Sequence, residues 1–114
     1  MPTHKIDFFY AHEKLCDALY YLATGAGDVR ERILSAYSRF HPLEERHFPE
    51  HLRNDFEWVM AQLTKYEPVY DHKGNVIIGQ VENTLRHIRN STGVKIAEKL
   101  LFLYHELNSY LYTR

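Results

Sequence analysis

The chain has 114 residues, 45% of them apolar and 25% charged, which excludes a disordered polymer and fits one globular domain. A net charge of −1 gives no overall field for nucleic acid or an anionic membrane, and no apolar run approaches the about 20 residues of a membrane-spanning helix. The single cysteine, Cys16, excludes an internal disulfide.

The first helix is predicted from Ile6 to Thr24. Phe8, His12, Leu15, Leu19 and Leu22 recur at steps of four and three on one face, and Phe9, Cys16, Tyr20 and Ala23 widen it. Gly25 follows where a left-handed residue would close the helix, and Gly27 adds freedom to the turn. The opening Met-Pro-Thr-His-Lys-Ile-Asp has no apolar stretch and no small-residue cleavage site. No signal peptide is expected, and the lone thiol then suits a reducing cytoplasm.

Asp28 followed by Glu31 forms a capping-box pattern and starts the second helix, with Val29, Ile33, Ala36, Tyr37 and Phe40 facing inward. His41-Pro42 ends it, because a residue before proline is pushed out of helical geometry. The third helix begins near Pro49, buries Leu52, Phe56, Val59, Met60 and Leu63, and closes by Glu67-Pro68. Val69-Tyr70 and Val76–Ile78 flank the turn Asp71–Asn75, which reads as a short β-hairpin with Gly74 in a left-handed conformation. A fourth helix spans Gln80 to Arg89, and Asn90–Gly93 breaks the chain before the last one.

That last helix, Val94 to Tyr112, carries apolar residues at Leu100, Leu101, Phe102, Leu103 and Tyr104 without interruption. An amphipathic helix buries a stripe about 100° wide, and five consecutive apolar residues exceed it. Either this helix is the centre of the bundle, or its second face is covered by another copy or a partner protein. The expected fold is therefore all-α, a compact bundle of about five helices over residues 1–114 with one minor β-hairpin. The leading expectation for function is non-enzymatic association, as a homo-oligomer or with a protein partner, through Leu103, Leu107, Tyr110 and Leu111. Nine tyrosines fit that expectation, since the side chain suits positions with one dry and one wet end. Tyr20 and Tyr21 could join Tyr110 and Tyr112 in one aromatic patch.

Chemistry-bearing residues are sparse. Charge is uneven, with eight Lys/Arg against eleven Asp/Glu in residues 1–67 and six against four in residues 68–114. Arg86, Arg89 and Lys95, with the hydroxyls of Ser91 and Thr92 at a helix start, form a candidate anion site. The same serine and threonine are also what caps any helix. His47 and His51 stand four apart, and Glu44-x-x-His47 resembles half of a di-iron motif, but no second copy occurs; no metal or other cofactor is implied. His12 and Cys16, also four apart, would need the imidazole to activate the thiol. The plainer reading is a hydrogen-bonded histidine beside a small apolar residue.

One short segment, Arg46-His47-Phe48-Pro49-Glu50-His51, resembles the Arg-then-His spacing of HEPN domains, an all-α class that includes ribonucleases. The resemblance covers six residues. It departs from the family pattern in containing a proline and in lying before a middle helix. It implies binding or cleavage of RNA, with Arg46 and His51 as the reacting pair.

Overall fold

The computed structural model describes residues 4–112, so the reading of Met1–Thr3 as leaderless lies outside the described residues. Five α-helices and one ribbon follow in the order α1 (His4–Thr24), α2 (Val29–Phe40), a single 3₁₀ turn (Glu45–His47), α3 (Glu50–Leu63), β1 (Val69–Tyr70), β2 (Val76–Ile78), α4 (Gln80–His87) and α5 (Asn90–Tyr112). The fold is the all-α bundle with a minor hairpin that the sequence predicts. Among the described residues no helix is long and apolar enough to cross a membrane.

Local chemistry explains the boundaries. Asp28 accepts the backbone N–H of Arg30 (2.9 Å) and of Glu31 (3.3 Å), while Glu31 accepts that of Asp28 (3.1 Å), completing the expected capping box. Gly25 does not take the left-handed conformation; Gly27 does, at φ +88°. The α1–α2 turn therefore closes two residues later than expected. In the ribbon Val69 faces Ile78 and Tyr70 faces Val76, with a bulge between the pairs. Gly74 sits at φ +86°, and Asp71 accepts the backbone N–H groups of Lys73 (2.8 Å) and Asn75 (2.9 Å). Those donors, that of Asn75 foremost, hold the Asp71 carboxyl below the ordinary carboxylate range.

One boundary is corrected. α5 starts at Asn90, so Ser91, Thr92 and Gly93 are helical and not a break. Gly93 is buried against α2, and a Cβ added there would lie 3.0 Å from Val29 Cγ1 and 3.1 Å from Arg30 Cγ. The glycine is there so that two helices can approach closely.

α5 packs against α1, α2 and α3, while the most extensive helix pairing is that of α1 with α2. Its buried residues Gly93, Ile96, Leu100, Leu103 and Leu107 follow steps of three and four and form one stripe. The molecule measures 54 × 28 × 19 Å. With helix axes about 8–10 Å apart, a thickness of 19 Å holds two helix layers and no third. α5 is thus not surrounded, and Leu101 and Phe102 remain 45% and 42% exposed.

Candidate functional site

The start of α1 meets the end of α5 through aromatic contacts. Phe9 lies edge-on to Tyr112 at 5.8 Å and Phe8 to Tyr110 at 5.8 Å, so the two helices run antiparallel. His12 stacks on Tyr104 (4.9 Å, 27°) and meets the edge of Tyr112 (5.5 Å). Its Nε2 lies 2.9 Å from Asn108 Oδ1; because an amide oxygen only accepts, Nε2 carries the proton. Tyr104 sits beside Cys16. Burial first, and then the neighbouring thiol, pushes its phenol above the ordinary tyrosine value.

Helical spacing carries this seam along the molecule. On α5, steps of three and four lead from Tyr112 through Asn108 and Tyr104 to Leu101, Ala97 and Val94. On α1 the matching line is Phe9, His12, Cys16 and Tyr20. Phe9, Tyr20, Val94, Leu101 and Tyr112 are all exposed, Tyr20 and Tyr112 by more than 60%. Exposed Glu13 lies one turn from Phe9 and from Cys16, and exposed Glu98 one turn from Val94 and from Leu101, so each helix also carries an acid on this face. The result is an outward-facing, largely apolar strip shared by two antiparallel helices.

The interface residues expected from sequence fall elsewhere. Leu103 and Leu107 have no exposed surface and are part of the core, and Leu111 is half-buried against it. Of the four, Tyr110 is exposed, at 48%. The reason is angular: residues two apart on a helix point about 200° apart, so the inward Leu103 turns Leu101 outward. The expected patch of Tyr20 and Tyr21 with Tyr110 and Tyr112 is also absent. Tyr112 lies beside Phe9, and eleven helical residues, about 16 Å, separate Phe9 from Tyr20.

The candidate anion residues are not gathered into one site. Arg86 lines a groove of about 390 Å³ between α2 and α4, where it donates to Glu82 at 2.8 Å beside the Asp28–Arg30 pair. Lys95 lines a different groove, of about 570 Å³, between α3 and α5. There Lys99 already binds Asp55 at 2.8 Å and lies over the rings of Trp58 and Phe102. Ser91 and Thr92 stand inside the first turn of α5, and Arg89, exposed, precedes it. Each groove carries its own acids, so neither is a free cationic pocket.

Nor does the structure assemble the Arg46–His51 pair. Arg46 turns to Glu44 (2.9 Å) and Asp7 (3.5 Å), while His51 turns to Tyr110 (5.6 Å). His47 is buried against Tyr10, and its Nδ1 accepts the backbone N–H of Glu44 at 2.9 Å. In the neutral ring Nε2 then holds the proton, which leaves His47 no free lone pair for a metal. Among the described residues no group of three or more His, Cys, Asp or Glu is placed to hold one.

No known protein family, curated protein or solved structure matches the chain. The candidate site therefore rests on this chain's own residues. Sequence reasoning places Phe9, Cys16 and Tyr20 beside the buried stripe of the first helix. It misses that they join a second line on α5. The available signal was the excess of apolar residues on both long helices.

Proposed function

We propose that this chain acts by pairing with a second copy of itself through the α1–α5 seam. The observation that carries this reading is the strip of five exposed large apolar side chains. At roughly 150–250 Å² per large aromatic side chain and somewhat less for Leu and Val, these five expose about 500 Å². The half-buried Leu19, Ala97 and Tyr104 widen the strip toward the about 800 Å² per partner of a standard interface. Exposed Glu13, Glu98 and His105 stand among these residues on the same helix faces.

A two-fold contact presents the same patch on both copies, and the apolar area of this one approaches what such a contact needs. Native mass spectrometry of the protein is expected to give twice the chain mass. Tyr20→Glu and Leu101→Glu, each placing a charge on the strip, are expected to give the single mass with helical circular dichroism retained and a thermal midpoint lowered by the lost association. A wild-type monomer, or variants that stay dimeric, would refute the reading.

A further inference from the structure

The groove between α3 and α5 holds the only tryptophan of the chain, and the geometry around it is that of a filled ammonium site. Asp55 and Trp58 stand three apart on α3, and Lys95, Lys99 and Phe102 follow at steps of four and three on α5. Each set therefore shares one helix face, and the two faces line a cavity of about 570 Å³. Lys99 Nζ donates to Asp55 Oδ1 at 2.8 Å. It also lies 5.8 Å from the centre of the Trp58 ring and 5.1 Å from that of Phe102. One carboxylate and two aromatic rings thus converge on a single cation. Lys99 and Asp55 keep 30% and 29% of their side-chain surface in water, so the pair is screened and the flexible lysine stem is free to withdraw.

We propose that this groove binds an organic ammonium group, and that Lys99 occupies the place of that group in the free chain. Ring faces attract cations through their quadrupole, tryptophan most strongly. A methylated ammonium is less tightly hydrated than the lysine amine, so it exchanges water for aromatic faces at lower cost. Charge gives the sign of the ligand. Asp55 and Glu98 face Lys95 and Lys99 along the groove, two acids against two bases. Withdrawing Lys99 leaves two acids against one base, which favours a cation and opposes an anion. The cavity falls within the roughly 300–1,000 Å³ of small-molecule sites. Lys99 is tethered beside the site and competes at high effective concentration, so the unaltered chain binds weakly. The association seam runs along the α1 side of α5 and this groove along its α3 side, so the proposal stands apart from pairing.

Because Trp58 is the only tryptophan, its fluorescence reports on the groove directly. The probe is tetramethylammonium chloride, titrated beside sodium chloride at equal concentration, with circular dichroism to confirm that each variant is folded. Lys99→Ala is expected to give a saturable change, and the wild type to bind more weakly by roughly tenfold or more. Lys99→Gln, which keeps most of the stem and removes the charge, is expected to bind more tightly than the wild type. Adding Asp55→Asn to Lys99→Ala is expected to weaken binding by roughly tenfold, since the carboxylate supplies the attracting charge. No saturable response in folded Lys99→Ala and Lys99→Gln would overturn the ammonium site. A wild type that binds as tightly as Lys99→Ala, or a double variant that keeps the affinity, would equally overturn it, because Lys99 would not be the occupant or Asp55 not the anchor.

Discussion

Thr84 is wholly buried on α4, and its hydroxyl bonds the returning chain. Its Oγ1 accepts the backbone N–H of Tyr66 at 3.0 Å and lies 3.4 Å from the Tyr66 carbonyl oxygen. Two neighbours on the same helix act alike: Gln80 donates to the carbonyl of Thr64 (3.2 Å) and Asn83 to that of Glu67 (2.8 Å). Together they hold the stretch that leads from α3 into the ribbon. Thr84→Val keeps the volume and removes the hydroxyl. The Tyr66 N–H then loses its partner, which costs about 1–3 kcal/mol, while the added methyl returns at most about 0.8 kcal/mol. The net expectation is a loss of about 1–2 kcal/mol. At roughly 2.1 cal/mol/K per residue of unfolding entropy, this length of chain loses about 4 °C of Tm per kcal/mol, so the shift is about 4–8 °C. Calorimetry measures it, and amide hydrogen exchange locates it, since Tyr66 should lose protection in Thr84→Val and keep it in Thr84→Ser. A Val variant as stable as wild type, with Tyr66 still protected, would refute the role assigned to this hydroxyl.

The two leucines of α5 that differ in exposure make a matched test: Leu103→Ala should cost about 3–5 kcal/mol by urea titration and Leu101→Ala under about 1 kcal/mol. Gly27→Ala should destabilise more than Gly74→Ala. Both have positive φ, but a Cβ at Gly27 would run into the Glu31 carboxylate of the capping box, and one at Gly74 would meet open space. The Asp28 carboxyl is held below its ordinary value, first by the Arg30 side chain and then by the backbone N–H groups it caps. Its contribution is present above the unfolded value of 3.8 and is lost as pH falls through the lower folded one. The stability difference between wild type and Asp28→Asn in urea should accordingly shrink below pH 4, and a constant difference would refute that coupling.

What could be read in advance divides along one physical line. The Asp28–Glu31 cap, the Gly74 turn and the three-and-four spacing of Leu52, Phe56, Val59 and Leu63 are set within a few residues. The chain alone therefore dictates them. Features that depend on which helices meet were not legible in the same way. Gly93 looks like a break until α2 is laid against it, and it is then the residue that lets the helices touch. Asn83 and Thr84 look like the solvent side of a short helix until the returning chain at Thr64–Glu67 supplies their partners. The same line explains the misplaced interface. An unbroken run such as Leu100–Tyr104 shows that a helix has more apolar surface than one face can hide, without fixing its rotation. Once Gly93, Ile96, Leu100, Leu103 and Leu107 claim the inward direction, Leu101 is turned outward by geometry. The apolar excess on α5 and the apolar excess on α1 then fall on the same side of a molecule two helices thick. Neither excess is unusual alone. Their coincidence on one exposed face is what motivates the proposed pairing with a second copy.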